Sequence, residues 1–536
     1  MNFASAVDQV IQRNLNLLQK PGVLFMRPGY KSKGGQVTTA PAIVVTVAKK
    51  RKGVAPKDRI PSKVGGYATD MRQASPMHLL RASNPDLYAE VAATAPPELQ
   101  RPVFPYERNA AGELVAPAMV EAAAKVAARM PKKTPIPYSA PDNFPLDPIT
   151  DKFTITCHAS PDAGWPTLQS FLSATKQRLT MAMYEFTAPY IVQEVLTSLK
   201  RKKLDLVLDD PNDPTKRDQT DDATHAQLAN GLGNLTFAWA LENYDPHVSA
   251  EIFPSAYHIK VIVRDGTAFW LSSGNLNRTN QPDINPIQNP VAAKTVVPAC
   301  DRDWHVIVEH LGLATLFENY IYNDLAIASQ HKKAGTNATM VYKAMNSHAK
   351  PSAKGKGKVP AKYFAPKVIT ANMTIQPVLT PDNYEVCILP LIRSAKKTFV
   401  MQTQYINPPK STPNPDTPTA QDDEVLEALI AAIVELIRED VDVRLIMSEF
   451  ETQDKIELLQ DRGILPKYIK IQENVHNKGI IVDSTVVVVG SQNWSGQGVR
   501  RNRDASVIIN NAAAAQYWGQ IFDHDWENMA IYGGFD

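Results

Sequence analysis

The sequence predicts an α/β protein: two duplicated α/β/α sandwich lobes with mixed β-sheets, related by a pseudo-twofold, plus a small N-terminal α/β domain. Three observations predict this. From about residue 151, β-like runs alternate with amphipathic helical runs; the same order of blocks returns after a Lys-rich stretch; and one His-Lys pattern recurs at matching offsets in both copies. Alternating strands and helices build a sheet with helices on its faces, and matching blocks in matching order imply internal duplication. The expected boundaries are 1–75 for a basic N-terminal domain, 76–150 for a Pro-rich connector, 151–330 for the first lobe, 331–367 for a Lys-rich linker and 368–536 for the second lobe.

In chain order, Val7, Val10, Ile11, Leu15 and Leu18 recur at helical spacing within 3–18, and Gly22–Met26 and Ala42–Val47 are β-rich. An apolar helical stripe next to such strands predicts a small packed unit. Between Ser75 and Pro148 proline occurs thirteen times, and proline removes an amide donor and disfavours helix at the preceding residue. That stretch is expected to connect, with two short helices near 86–93 and 118–129. The first lobe then reads strand Leu179–Phe186, helix Ile191–Lys200, strand Leu204–Leu208, and the second reads strand Thr398–Ile406, helix Glu424–Arg438, strand Val441–Met447. Each copy closes on a helix, near Ala314–Ala326 and Ala512–Asn528.

Of 536 residues, 44% are hydrophobic and 21% charged, which excludes a disordered chain, a collagen or a disulfide scaffold. No apolar run is long enough to cross a bilayer, and the first twenty residues lack the pattern of a signal peptide. Cys157, Cys300 and Cys387 are scattered without metal-ligand spacing. A reduced, cytoplasmic protein is the expectation; a secreted one whose leader had been removed would read the same. The net charge of +2 hides an asymmetry: residues 1–75 hold thirteen Lys/Arg against three acids, and 331–367 hold nine Lys and no acid. Such segments suit an anionic surface, either nucleic acid or lipid headgroups, and suit solvated loops equally well.

The duplicated pattern is H-x-K-x4-D. It occurs as His258, Lys260 and Asp265, and again as His476, Lys478 and Asp483. Each is followed by a β-like run and a small polar turn, Ser272-Ser273-Gly274-Asn275 and Gly490-Ser491-Gln492-Asn493, with 17 residues from His to Asn in both. Asp301-Arg302-Asp303 and Asn502-Arg503-Asp504 then precede apolar runs. In a strand, i and i+2 share a face, so each His and Lys project together. Upstream, Tyr184 and Tyr405 precede the two histidines by 74 and 71 residues, and the strand end Tyr184-Glu185-Phe186, expected to reach the cleft, has Gln404-Tyr405-Ile406 as its mirror.

These residues resemble the phospholipase D superfamily, which is defined by paired H-x-K-x4-D motifs followed by a G-S/G-x-N element. The resemblance covers about 151–330 and 368–536. It implies a phosphodiesterase, in which His258 attacks phosphorus and forms a phosphohistidine while His476 protonates the leaving oxygen. Lys260, Lys478, Asn275 and Asn493 bind the phosphate, supported by Ser273 and Ser491. Asp303 and Asp504 orient His258 and His476 respectively, and Asp265 and Asp483 buttress the strand ends. No cofactor or metal is expected, because the lysines supply the positive charge; Asp209, Asp210 and Asp213 read as an exposed acidic loop. Both motifs lie in one chain, so a monomer suffices for catalysis. The sequence departs from the pattern at Ser272, where the second copy has Gly490, and in the 28 residues from Asn275 to Asp303 against 11 from Asn493 to Asp504. The extra loop, Asn280–Cys300, is expected to overhang the entrance.

A phospholipase D that hydrolyses phospholipids or transfers the phosphatidyl group is the preferred reading. A metal-independent nuclease is the alternative, and a non-catalytic binding module is disfavoured by the intact motifs. Phe269, Trp270 and Trp494 are candidates for an apolar rim, and Trp494 equally for stacking on a base.

Overall fold

The computed structural model describes residues 3–33, 36–50, 54–74, 82, 101–102, 107–108, 114–115, 138–209, 218–242, 250–251, 256–329, 362–409, 420–449 and 453–532. The helices expected near 86–93 and 118–129, Asp210 and Asp213, and all but the last six residues of the 331–367 linker lie outside them.

In the N-terminal domain, helix α1 (Phe3–Arg13) lays Val7 and Ile11 on a sheet built from a long hairpin, β1 (Val23–Lys33) and β2 (Gln36–Val47), extended by β3 (Tyr67–Gln73). Met26, Ile43 and Val45 fill the space beneath the helix with Val64 and Leu18. The connector contributes to this sheet, since Arg101–Pro102 pairs with β1.

The first lobe runs β4 (Ile149–Ser160), α2 (Gly164–Ser173), β5 (Arg178–Met183), α3 (Pro189–Ser198), β6 (Lys203–Leu208), α4 (Asp221–Gly231), β7 (Leu235–Trp239), β8 (Lys260–Arg264), β9 (Ala268–Ser272), α5 (Pro290–Val296), β10 (Asp303–Glu309) and α6 (Leu311–Ala328). The second runs β11 (Lys367–Thr380), α7 (Tyr384–Arg393), β12 (Thr398–Thr403), α8 (Ala420–Arg438), β13 (Asp442–Ser448), α9 (Gln453–Arg462), β14 (Ile469–Gln472), β15 (Lys478–Val482), β16 (Val486–Gly490), β17 (Asp504–Asn510), α10 (Ala512–Asn528) and β18 (Ile531–Tyr532).

The two lobes share one sheet of fifteen strands, in the order β7-β6-β5-β8-β9-β10-β4-β11-β17-β16-β15-β12-β13-β14-β18. Apart from β18, the order is a palindrome about the β4–β11 junction, which places the pseudo-twofold there. Those two strands pair antiparallel from Ile149 opposite Ile375 to Cys157 opposite Lys367. Each half is mixed: β5, β6 and β7 are parallel, as are β12, β13 and β14, and the rest are antiparallel. On one face of the junction Phe153, Ile155 and Ile375 join α6 and α10 in a core common to both lobes, with Phe317, Ile321, Trp518 and Phe522. Continuous apolar area across the junction makes the lobes one folding body rather than two tethered ones.

Candidate active site

His258 lies in the extended segment entering β8, whose first residue is Lys260; His476 and Lys478 stand in the same relation to β15. Both histidine–lysine strands lie inside the sheet, each antiparallel to both neighbours, β5 and β9 for β8, β12 and β16 for β15. The lysines are almost fully covered, and each ammonium donates back to the carbonyl of its own histidine. Lys478 Nζ also lies 3.1 Å from each ring nitrogen of His476.

The histidine–carboxylate pairs are crossed between lobes. His258 Nδ1 is 2.8 Å from Asp504 Oδ1, and His476 Nδ1 is 3.0 Å from Asp303 Oδ1. This corrects the expected assignment of Asp303 to His258 and Asp504 to His476. The cause is backbone register. Arg302 N donates to Asn474 O and His476 N donates to Arg302 O, so the chain delivers Asp303 beside the other lobe's histidine. Arg503 N bonds to Ala256 O and does the same for Asp504 and His258. His258, Lys260, His476 and Lys478 therefore come together where the lobes meet, near enough for His476 and both lysines to act on His258.

The serines hold the carboxylates instead of facing a phosphate, which corrects their expected role. Ser273 Oγ donates to Asp303 Oδ1 at 2.7 Å and accepts from Trp304 N; Ser491 Oγ donates to Asp504 Oδ1 at 2.6 Å and accepts from Ala505 N. Each hydroxyl spends its single proton on a carboxylate. Asn275 and Asn493 are buried in their turns, each with an amide oxygen that meets no protein donor, and Asn275 Nδ2 donates to Glu185 Oε2. Asp265 and Asp483 lie at the far ends of β8 and β15. Asp265 collects the amides of Lys176, Gln177 and Arg178, and Asp483 those of Lys396, Lys397 and Thr398.

Several other expectations change. The strand register sets Met183 opposite Lys260 and Thr403 opposite Lys478. Tyr184 therefore corresponds to Gln404 and Glu185 to Tyr405, in keeping with the mirrored strand ends read from the sequence, and the two tyrosines are not positional counterparts. The Tyr184 ring centroid lies 4.7 Å from that of His258, with Lys260 Nζ 4.9 Å from it, whereas Tyr405 faces Lys455. Phe269, Trp270 and Trp494 form no rim: all three are core residues, with Trp494 Nε1 bonded to Tyr384 OH. Asp209 is not an exposed loop residue but is fully buried, accepting from Tyr257 N. The Ser272/Gly490 difference is coupled to its neighbour on the next strand. Ser272 Oγ bonds His305 Nδ1 at 2.7 Å, whereas a Cβ at Gly490 would lie 1.6 Å from Ser506 Oγ.

Sequence reasoning missed two buried arginines. Arg302 grips Asp525 on α10 and Asp162 beyond β4, and Arg503 grips Asp324 on α6 and Asp382 beyond β11. Each reaches from its own β-strand start into the other lobe's last helix. The signal was present, since each arginine precedes an aspartate 22 residues away in its own copy, but that interval marks equivalent positions and hides the exchange of partners.

Burial is the largest influence on the site's ionisation. It lowers His258 well below the usual imidazole value, with Lys260, Lys478 and His476 adding repulsion, and it lowers His476 to about 4, with Lys478 adding to it. Lys478 is lowered to about 8 by burial, against the pull of Asp303 and Asp504. For Asp303, burial is outweighed by His476 and Lys478, and its carboxyl stays well below the usual range; for Asp504 burial wins and raises it to about 7. A cleft with two lysines, two imidazoles and two buried carboxylates is built for an anion whose charge offsets the lysines.

The chain is thus a duplicated α/β body with crossed His–Asp pairs and paired lysines. Residues 388–526 match the family described as "Cardiolipin synthase, PLD-like domain". The chain is 28% identical over 113 residues to a mitochondrial cardiolipin hydrolase of Xenopus laevis, a match spanning 20% of this chain and 54% of the relative. It is 30% identical over 75 residues to the mitochondrial cardiolipin hydrolase of Mus musculus, spanning 14% of this chain and 34% of the relative. A structural comparison aligns 70% of the chain with 87% of phosphatidylserine synthase from Haemophilus influenzae Rd KW20, at 12% identity and a TM-score of 0.45. Residues 388–526 of the chain are thus similar to the phospholipase D-like family, and the matches span about half or less of each curated relative's length.

Proposed function

We propose that the chain is a phosphodiesterase that cleaves phospholipid headgroups, or transfers the phosphatidyl group to an alcohol, through a phosphohistidine. The observation that carries this reading is the crossed pair of His–Asp contacts with both lysines in the same cleft. Neutral His258 attacks phosphorus through Nε2, the bond to the leaving oxygen breaks, and His476 delivers a proton to that oxygen. His476, now neutral, takes a proton from water or an alcohol, whose oxygen attacks phosphorus and releases His258.

Asp303, held ionised, stabilises an imidazolium at His476, while Asp504, raised by burial, favours neutral His258. This division supports His258 as nucleophile and His476 as acid. The bound phosphodiester offsets Lys260 and Lys478 and so raises the proton affinity of His476 as substrate arrives. Asn275 and Asn493, each with its amide in the adjoining turn, complete the phosphate cradle with the lysines.

Lipid is favoured over nucleic acid by the extra loop of the first lobe. Pro298 O accepts from Asn474 Nδ2, two residues before His476, so the loop abuts the cleft, and on it Val291 is 80% exposed with Ile287 and Val296 also outward. Apolar side chains beside an anion-binding cleft suit an interface with acyl chains. The names of the matched family and relatives point the same way. Among the described residues no helix is long and apolar enough to cross a membrane.

The test is a paired assay with excess chelator: choline release from phosphatidylcholine vesicles in one arm, cleavage of plasmid and single-stranded DNA in the other, with His258→Ala and His476→Ala in both. Choline release lost in both variants is the expected result. DNA cleavage lost in both, without choline release, replaces the lipid reading with the nuclease.

A further inference from the structure

The first lobe's extra loop does more than flank the entrance. Its start folds back under the cleft: Asn277 Oδ1 accepts from the amides of Thr279 and Asn280, and Asn280, 1% exposed, is thereby aimed inward. Asn280 Nδ2 donates to Asp303 Oδ2 at 2.8 Å and lies 3.2 Å from Asp301 Oδ2. The carboxylate of Asp303 thus has His476 and Ser273 on one oxygen and Asn280 on the other.

The second lobe solves the same problem differently. There the residue two before the carboxylate is Asn502, whose side-chain amide acts on Asp504, although Asp504 Oδ2 itself has no hydrogen-bond partner. The equivalent residue in the first lobe is Asp301, whose side chain carries no amide to donate to Asp303. Asn280 supplies from the loop the amide that position 301 lacks, and sits between the two carboxylates.

We propose that Asn280 is a positioning residue for the leaving-group proton: by fixing Asp303 on His476, it makes the first lobe's loop part of the acid–base half of the site. The proposal rests on the two-histidine reading above, but not on the substrate being a lipid. It predicts selectivity. Chemistry at His258 is served by Asp504 and does not pass through Asn280, so only steps that need the proton of His476 depend on it.

Single-turnover kinetics with enzyme in excess test this on two simple diesters. Bis(p-nitrophenyl) phosphate loses a stable p-nitrophenolate that needs no proton; diphenyl phosphate loses a more basic phenolate that does. Asn280→Ala is expected to slow phenol release about tenfold, the scale on which removing an outer partner of a working histidine is felt, while p-nitrophenolate release stays within about twofold. Asn280→Ala/Asp301→Asn, which rebuilds the second lobe's arrangement, is expected to recover most of the lost phenol release. Equal slowing of both diesters, no slowing of either, or no recovery in the double variant overturns the proposal. Circular dichroism and thermal unfolding of each variant separate a folding defect from a rate effect. If His258→Ala releases p-nitrophenolate as fast as the parent chain, the two-histidine reading itself fails and the proposal with it.

Discussion

Asp303 Oδ1 stands 3.0 Å from His476 Nδ1, although the two residues lie 173 positions apart and in different lobes. With the reciprocal contact of His258 and Asp504, each lobe completes the other's histidine. Neither lobe alone contains a finished His–Asp pair, so the duplication is a functional unit as well as a structural one. Four predictions follow from this geometry and its surroundings.

The crossed pairing is visible spectroscopically. Asp303→Asn should shift the Nδ1–H resonance of His476 in a proton–nitrogen spectrum and leave that of His258 in place, with Asp504→Asn doing the reverse. In activity, either change should cost about 10²–10⁴ in kcat, the range found when the carboxylate behind a working histidine is neutralised. A shift at the same-lobe histidine instead would refute the crossed assignment.

The buried histidines should cost the empty protein stability in acid. Four buried histidines resist protonation in the fold: His158 and His258 are lowered well below the usual value and His305 and His476 to about 4, in each case chiefly by burial. Between about 6.5 and about 4 the unfolded chain takes up protons that the folded imidazoles refuse, so their contribution lowers stability as pH falls through that window. Asp504 opposes this, because its folded carboxyl, raised to about 7, holds a proton that the unfolded chain releases above about 4. Burial also raises the carboxyls of Asp162, Asp324 and Asp423, which act in the same direction as Asp504, so the histidine contribution is read from a single histidine variant. His305→Asn should flatten the slope by up to about 1.4 kcal/mol per pH unit, measured by urea unfolding across pH 4.5–6.5.

The arginine clamps should dominate the energetics between lobes. Arg503→Met leaves Asp324 and Asp382 without their shared guanidinium in a dry interior, and a loss of about 3–5 kcal/mol is expected in denaturant unfolding. Arg503→Met/Asp324→Leu should recover part of it, since the unpaired buried charge is the costly species. A loss under about 1 kcal/mol would place the clamp among weak surface pairs.

Gly490 is a space requirement set by the next strand. Gly490→Ala puts a methyl 1.6 Å from Ser506 Oγ and 2.4 Å from Ser506 Cβ. We expect a destabilisation of about 1–3 kcal/mol, the usual cost of overpacking. Ser506→Gly should relieve much of it, leaving the backbone contact at Ser506 Cα, 2.8 Å away. Equal losses in the single and double variants would show that the strain lies elsewhere.

The N-terminal domain shows why charge counts mislead. Arg27 and Arg72 belong to the basic 1–75 segment, yet both are spent on α9: Arg72 Nη1 lies 2.9 Å from Asp454 Oδ1, and both guanidiniums contact Glu457. Their charge is neutralised inside the protein, so the anionic surface those two residues answer is the second lobe. Composition counts charges but carries no information on which are already paired.

Local pattern was enough for much of the rest. Strand–helix alternation, the two H-x-K-x4-D motifs, the 17-residue His-to-Asn interval and the roles of Asp265 and Asp483 at strand ends depend on neighbours in sequence, and hydrophobic periodicity and motif spacing encode those directly. The α/β class, the duplication and the pairing of each histidine with its lysine on one face follow from them. What the tertiary structure decided is everything that crosses the junction: the merging of two sheets at β4 and β11, the delivery of Asp303 to His476 and Asp504 to His258, the exchange of arginine clamps, and the folding of Asn280 under Asp303. A near-symmetric duplication gives each such contact two equivalent solutions, within a lobe or between lobes, with the same residues at the same spacing. Only the backbone path at Arg302 and Arg503 chooses between them, because it fixes which histidine each carboxylate can reach.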